Sequence, residues 1–213
     1  MMKPCIFCLV AFALATCLSA LAAAPPAAMS QEAGAAPSQD GTAVSSDGGN
    51  GVLVAYFSRG GNTRALAELI HAQVGGELFE IRTNPLYPAD YDKALDQAKA
   101  EQAAGARPAL AANVPDMSKY TVVILGYPNW WADLPMPVYT FVETHDLAGK
   151  TVLPFCTHDG SGLSRTVASL ESKLPGAKVL PGLAVRGRRA ASSGDEAAEW
   201  LRKSGVALKA TGQ

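Results

Sequence analysis

From position 52 to about 203 the chain alternates unbroken apolar runs with stretches of helical spacing. Val52 to Phe57 is continuously apolar, as expected for a strand covered on both faces. Thr63 to Val74 follows, with Leu66, Leu69, Ile70 and Val74 on one helical face, and Gly75-Gly76 ends it. Glu77 to Arg82 predicts a weaker strand with Leu78, Phe79 and Ile81 on its apolar side. Asp90 can cap a helix from Tyr91 to about Ala104, whose alanine-rich, thinly apolar sequence predicts peripheral packing. Tyr120 to Gly126 contains Val122-Val123-Ile124-Leu125, the clearest buried strand. Pro137 suits a helix start, with Val138, Phe141 and Val142 forming the apolar face. Thr151 to Cys156 reads as a fourth strand, and Leu163, Val167, Leu170 and Leu174 mark the next helix. Lys178 to Val185 reads as a fifth strand, and Ser193 with Glu196 forms an S-x-x-E capping box before Trp200 and Leu201.

Strands that each lead into a helix predict an α/β three-layer sandwich. The expected core is a five-stranded parallel sheet of order 2-1-3-4-5 with helices on both faces. Pro154 resists this, because it falls inside an internal strand and cannot donate to a ladder. It predicts a local gap in pairing, or a strand that starts later. Pro181 is easier, since the fifth strand lies at the edge.

In such a sheet ligands bind beyond the carboxyl ends of the strands, where strand order reverses. Three unusual loops fall there. The first is Ser58-Arg59-Gly60-Gly61-Asn62-Thr63. A strand that ends in this loop and opens a helix makes an anion site: the first helical N–H groups are unpaired and the helix dipole adds positive charge. The two glycines allow close backbone approach, and Ser58, Asn62 and Thr63 can add hydrogen bonds. The loop has neither G-x-x-x-x-G-K-[ST] nor G-x-G-x-x-G, so it suits one terminal phosphate rather than a nucleoside triphosphate or a dinucleotide pyrophosphate. A capped turn without a ligand is the plainer alternative.

The second loop runs from Tyr127 to Pro137 and includes Pro128, Asn129, Trp130 and Trp131. Two adjacent loop tryptophans are costly to expose. We expect one to be structural and one to face a planar ligand, without assigning which. The third loop is Thr157-His158-Asp159-Gly160-Ser161-Gly162. Its glycines let N–H groups point at ring carbonyls. His158 can bring positive charge to a ligand, or simply hold its own loop by a hydrogen bond.

Composition narrows the picture further. The chain has 213 residues, 48% apolar and 17% charged, with net charge −1. The longest basic run is Arg186-Gly187-Arg188-Arg189, so nucleic-acid binding has little support, and the run reads as a solvated loop. Residues 1–24 read as a signal peptide or N-terminal anchor. Lys3 is the positive n-region, Ile6 to Leu21 the apolar segment and Ala20-Leu21-Ala22 an A-x-A-like cleavage site. Leu14-Ala15-Thr16-Cys17 resembles an imperfect bacterial lipobox. All three readings export the protein, to the periplasm or beyond, and an uncleaved or lipidated form gives membrane attachment through the N-terminus. Residues 25–50 are rich in Ala, Pro, Ser and Gly without aromatics and read as a disordered linker. The domain is expected over 51–205. Removing residues 1–22 leaves Cys156 as the one cysteine of the mature chain, which reads as a small buried residue.

Ala55-Tyr56-Phe57-Ser58-Arg59 with Gly61-Asn62-Thr63, Gly126-Tyr127-Pro128-Asn129-Trp130-Trp131, and Phe155-Cys156-Thr157-His158 with Gly160-Ser161-Gly162 together resemble a bacterial flavodoxin-like family. Its members are short FMN-binding proteins of the flavodoxin fold. The resemblance covers about residues 51–203. It implies FMN as cofactor, with the phosphate at 58–63 and the ring between the other two loops. The departures are Gly60 where the flavodoxin phosphate loop has threonine, Ala132 where glycine is common, and Asp159 where a smaller residue is common. Gly60 removes a donor and Asp159 adds negative charge near an electron-rich ring. The implied function is electron transfer or reduction of a small molecule such as a quinone, with an electron donor and acceptor that the sequence does not identify. Without residues 1–22 the chain has 17 basic and 19 acidic residues, a net of −2. So weak a field favours a small-molecule reductase over a dedicated carrier. An exported module of the same fold without flavin is the alternative.

Overall fold

β1 (Val52–Phe57) is buried along its whole length, as its unbroken apolar run requires. It is the second strand of the sheet, paired in parallel with β2 (Glu77–Ile81) on one side and β3 (Val122–Pro128) on the other. β3 in turn pairs in parallel with β4 (Thr151–His158). The structure is a computed structural model that describes residues 51–209. The readings of residues 1–24 and 25–50 fall outside the described residues.

The order β2-β1-β3-β4-β5 is the predicted one, with one refinement at the edge. The fifth position holds two short pieces, β5 (Lys178–Val179) and β6 (Leu183–Arg186), both paired in parallel with β4. Pro154 gives the physical reason. β4 runs through it without a late start, and Pro154 stays in register with Leu125 on the inner side. On the outer side β5 pairs Thr151 and Val152, β6 resumes at Phe155, and Leu153 and Pro154 have no partner there. The gap expected from a residue that cannot donate is present, but only toward the edge. Leu180-Pro181-Gly182 crosses it.

The apolar side chains of the sheet alternate between two cores. Val52, Val54 and Tyr56 face α1 (Asn62–Val74) and α5 (Gly194–Lys203) through Leu66, Ile70, Ala197 and Leu201. Leu53, Ala55 and Phe57 face the opposite core with Val138, Phe141 and Val142 of α3 (Met136–Thr144) and Leu170 of α4 (Thr166–Lys173). This is the three-layer sandwich of the sequence reading. Gly126 is dictated by the first core, because a Cβ there would stand 2.1 Å from the Phe155 ring.

Helix ends follow the sequence in most places. Asp90 caps α2 (Tyr91–Ala104) by accepting from the Lys93 N–H at 2.9 Å, and Ala94 and Ala98 are its only buried residues, in keeping with thin packing. Pro137 lies in the first turn of α3. The capping box before α5 does not form. Gly187–Ser192 turns as a short 3-10 helix, and the Ser193 hydroxyl donates to the Arg189 carbonyl instead.

Candidate functional site

The first two turns of chain beyond β1 leave a glycine pair in the open. Gly61 has φ 89°, a left-handed conformation that favours glycine, and it is the residue on which α1 begins. Among the described residues no side chain caps α1, so its first-turn N–H groups keep their hydrogen-bonding capacity. The Ser58 hydroxyl accepts from the Gly61 N–H at 3.2 Å and tightens the loop without covering that turn. Beside Gly60 and Gly61 no atom beyond their chain neighbours lies within 4 Å of where a Cβ would stand.

Arg59 does not aim its guanidinium at this nest. It donates to the carbonyls of Pro88, Ala89 and Asp90 at 3.3, 3.0 and 3.0 Å and lies over the Tyr91 ring. It therefore ties the loop after β1 to the start of α2.

The three predicted loops meet. The hydroxyls of Thr63 and Thr157 are 2.8 Å apart, which joins the first loop to the end of β4. The Asn129 N–H donates to the Thr157 carbonyl at 2.8 Å, and its side-chain nitrogen donates to the Gly162 carbonyl at 2.7 Å. The second and third loops are thus laced together through Asn129. A cavity of about 610 Å³ opens among them. Ser58, Arg59, Gly60, Asn62, Thr63, Pro128, Asn129, Trp130, Trp131, Thr157 and His158 line it. Gly61, Gly160, Ser161 and Gly162 do not, and act through the backbone. The Gly160 N–H is taken by His158 Nδ1 at 3.0 Å, and the Ser161 and Gly162 carbonyls accept bonds from Ser164 and Asn129.

The two tryptophans differ in packing, though both line the cavity. Trp130 packs edge-on against Phe57 and Tyr87 and belongs to the core. Trp131 is 37% exposed at the cavity. It sits there because Trp130 and Asp133 exchange two backbone hydrogen bonds, each 3.0 Å, around Trp131 and Ala132 at φ 48° and 64°. This is a two-residue turn of the kind that prefers glycine, so Ala132 carries backbone strain. Asp133 anchors the turn. It is buried, and its carboxylate accepts from Ser169, the Leu134 N–H and Tyr139, with Arg165 at 2.9 Å. Burial pushes its pKa up, but these donors outweigh burial and hold the carboxyl below the usual range.

His158 is neutral in this arrangement. Its Nδ1 accepts from Gly160, so the ring proton sits on Nε2. Desolvation and then the Arg186 charge push its pKa down, against Asp159. The local hydrogen bond of the sequence reading is present, and positive charge on the ring is disfavoured. Cys156 is buried, its pKa raised to about 12 by burial, as a structural cysteine should be.

Two walls were missed. Tyr91, Ala94, Leu95 and Ala98 of α2 line the cavity, with Tyr91 65% and Leu95 37% exposed. Their spacing at i, i+3, i+4 and i+7 is a helical stripe, legible in the sequence had the helix not been set aside as peripheral. The other wall is Gly187 and Arg188, and Asp159 also lines the cavity. The basic run was visible but read as solvated. Among the described residues no His, Cys, Asp or Glu group could hold a metal ion, and no helix is long and apolar enough to cross a membrane.

A doubly wound parallel sheet with an open, uncapped helix start and an aromatic-walled cavity at its switch point defines a protein that binds an anionic, planar ligand at the carboxyl end of its strands. Residues 51–204 match the flavodoxin family model, and the chain belongs to that family. It is similar to a candidate flavoprotein from Bacteroides eggerthii, at 32% identity over 73% of this chain and 98% of that one, with a TM-score of 0.66. A candidate flavoprotein from Bacteroides uniformis is 31% identical over 73% of this chain and 99% of that one, TM-score 0.65. A Lactobacillus acidophilus flavoprotein in complex with FMN shares the fold at 24% identity, covering 69% of this chain and 97% of that one, TM-score 0.55. No curated protein matches the chain.

Proposed function

We propose that the protein binds FMN at the carboxyl end of its sheet and works as an FMN-dependent oxidoreductase on a small molecule such as a quinone. The observation that carries this is the meeting of three separate loops at one cavity whose floor is the uncapped start of α1. Among the described residues two buried polar atoms on its wall, Asn129 Oδ1 and Arg59 Nε, have no partner and can accept from and donate to a ligand. The residues fit FMN: the open glycines and the α1 N–H groups suit the phosphate, and Trp131 with Tyr91 and Leu95 suits an apolar ring.

Bound there, the flavin supplies the electron or hydride chemistry at its N5 atom. The chain's own residues bind and orient it. Ser58, Asn62 and Thr63 would hold the phosphate. Trp131 and the α2 stripe exclude water from the ring. His158 brings a neutral Nε2–H to the rim and no charge. A net charge near −2 for the chain beyond residue 22 gives little long-range steering of a protein partner, which supports a small-molecule reaction over a carrier role. Electron transfer to a redox protein is the reading that a protein-reactive, quinone-inert flavin would favour. Residues 1–24, read as an export signal or anchor, support a location outside the cytoplasm, a proposal that cell fractionation tests directly.

The test uses the full chain, purified in detergent if it stays with the membrane. Flavin absorbance is read as isolated, then after titration with FMN and with riboflavin. Uptake of FMN is expected, followed by bleaching with NADH or NADPH and reoxidation by a quinone. Ser58→Asp should weaken FMN far more than riboflavin, since only FMN brings the phosphate. Protein that takes up neither flavin would leave the flavin-free binding module standing.

A further inference from the structure

Gly60 leaves the phosphate nest one hydroxyl short of the flavodoxin pattern, and the fold places a cation where that loss is felt. The turn after β6 packs directly on the phosphate loop: a Cβ at Gly187 would stand 2.6 Å from the Asn62 side-chain nitrogen. Any side chain there would have to displace the Asn62 amide, so Gly187 keeps the two loops in direct contact through Asn62. The next residue, Arg188, lines the same cavity as Ser58, Gly60 and Asn62. Among the described residues it has no hydrogen bond and no ion pair, whereas its neighbour Arg189 is paired with Glu196 at 3.4 Å. Arg59, the other cavity-lining arginine, turns its terminal nitrogen to three carbonyls away from the nest and leaves Nε on the cavity side without a partner among the described residues.

We infer that Arg188 is a phosphate-binding residue of this site, supplying from the β6–α5 connection the contact that Gly60 withholds. This rests on the FMN reading above. A guanidinium presents a planar fork of donors suited to phosphate oxygens, and its charge does not titrate in the working range. The long side chain can reach in from the rim while Gly187 brings its backbone close. The consequence is a division of labour across the sheet: the helix start of α1 supplies neutral N–H donors, and the far edge supplies the positive charge. It also gives the Arg186–Arg189 run a use. Gly187 and Arg188 are the members of the run that line the cavity, and Arg188 is its only charged member there.

The test is the dissociation constant of FMN and of riboflavin for full-length wild type, Arg188→Ala, Gly60→Thr and the double variant, at low and high salt. Arg202→Ala, at an exposed position of α5, removes the same charge elsewhere and serves as control. Losing a charge-assisted contact should raise the FMN constant of Arg188→Ala about tenfold or more. Riboflavin affinity should stay within about twofold, on the same free-energy scale. Salt should weaken FMN binding to wild type more than to Arg188→Ala, because the screened charge is gone. Gly60 lies outside the left-handed region with open space beside it, so threonine fits there, and Gly60→Thr should recover part of the loss in the double variant. Equal FMN constants for wild type and Arg188→Ala, with FMN bound by both, would overturn the inference and leave the flavin reading intact. Equal losses for FMN and riboflavin would overturn it too. Wild type that binds neither flavin overturns both.

Discussion

Thr63 and Thr157 stand 94 residues apart in sequence, and their hydroxyls meet at 2.8 Å in a buried contact at the floor of the cavity. One belongs to the first turn of α1, the other to the end of β4. Each hydroxyl can donate once and accept twice. If Thr157 donates to Thr63, the Thr63 proton is free to point at the ligand.

Thr157→Val should therefore act in two ways. It leaves the Thr63 hydroxyl buried without its partner, which costs about 1–3 kcal/mol of stability. It also frees Thr63 to turn, so FMN should weaken more than riboflavin. Denaturant midpoints and the two flavin titrations measure these separately. A stability loss with unchanged preference for FMN over riboflavin would confine Thr157 to a structural role.

Ala132→Gly should stabilise the protein. Ala132 sits at φ 64°, where an L side chain costs roughly 1–2 kcal/mol relative to right-handed backbone. Glycine removes that strain but gives the unfolded chain more freedom, an opposing effect of about 0.4–1 kcal/mol. A net gain of up to about 1.6 kcal/mol is expected from these two ranges, read as a higher denaturant midpoint at unchanged slope. Trp131 holds φ 48° in the same turn but forms the ligand wall, so it is not a candidate for the same change.

These cases show what sequence carries and what it does not. β1, β3 and the loop after β1 were legible because apolar runs and glycine pairs impose local rules. The gap beside Pro154 was legible for the same reason, through a missing donor. Splitting of the fifth strand was not, since it depends on which side of β4 that missing donor faces. The capping box failed because a 3-10 turn just upstream offered Ser193 a nearer acceptor. Arg59 could not be assigned from its place in the loop, because its partners are carbonyls about 30 residues away. Arg188 and the Tyr91–Leu95 stripe were visible as patterns. Their role depends on packing between distant segments, which periodicity does not encode.

Asp133 sets an acid limit on the site. Its folded pKa is depressed, so the stability it contributes is present above the unfolded value of about 3.9 and is lost as pH falls through the folded one. Glu143 behaves alike, held at about 2 by Arg107 and then Lys173 against some burial. Stability should thus fall between roughly pH 4.5 and 2. Asp133→Asn should flatten part of that slope, while loosening the turn that carries Trp131. Chemical denaturation across this range gives the slope, and Trp131 fluorescence reports the turn. A variant with the wild-type acid slope would show that Asp133 titrates as it does in the unfolded chain.

His158 gives a reading at the site itself. Its pKa lies below the ordinary 6.5 through desolvation first and the Arg186 charge second. Protonation would also cost the Gly160 hydrogen bond, because Nδ1 could no longer accept. A histidine with a depressed folded pKa stabilises the fold above the unfolded value and withdraws that support as pH falls. In an NMR titration the ring should stay neutral down to below pH 6.5, with Nε2 protonated. Arg186→Ala should move the midpoint up toward the ordinary value without reaching past it, since burial remains. It should also leave the Nε2–H tautomer unchanged, because the Gly160 bond and not the charge selects it. A midpoint that does not respond to Arg186→Ala would mean burial alone holds His158 neutral. A midpoint above 6.5 in wild type would put a cation at the rim, and the neutral-donor role assigned to His158 would fail.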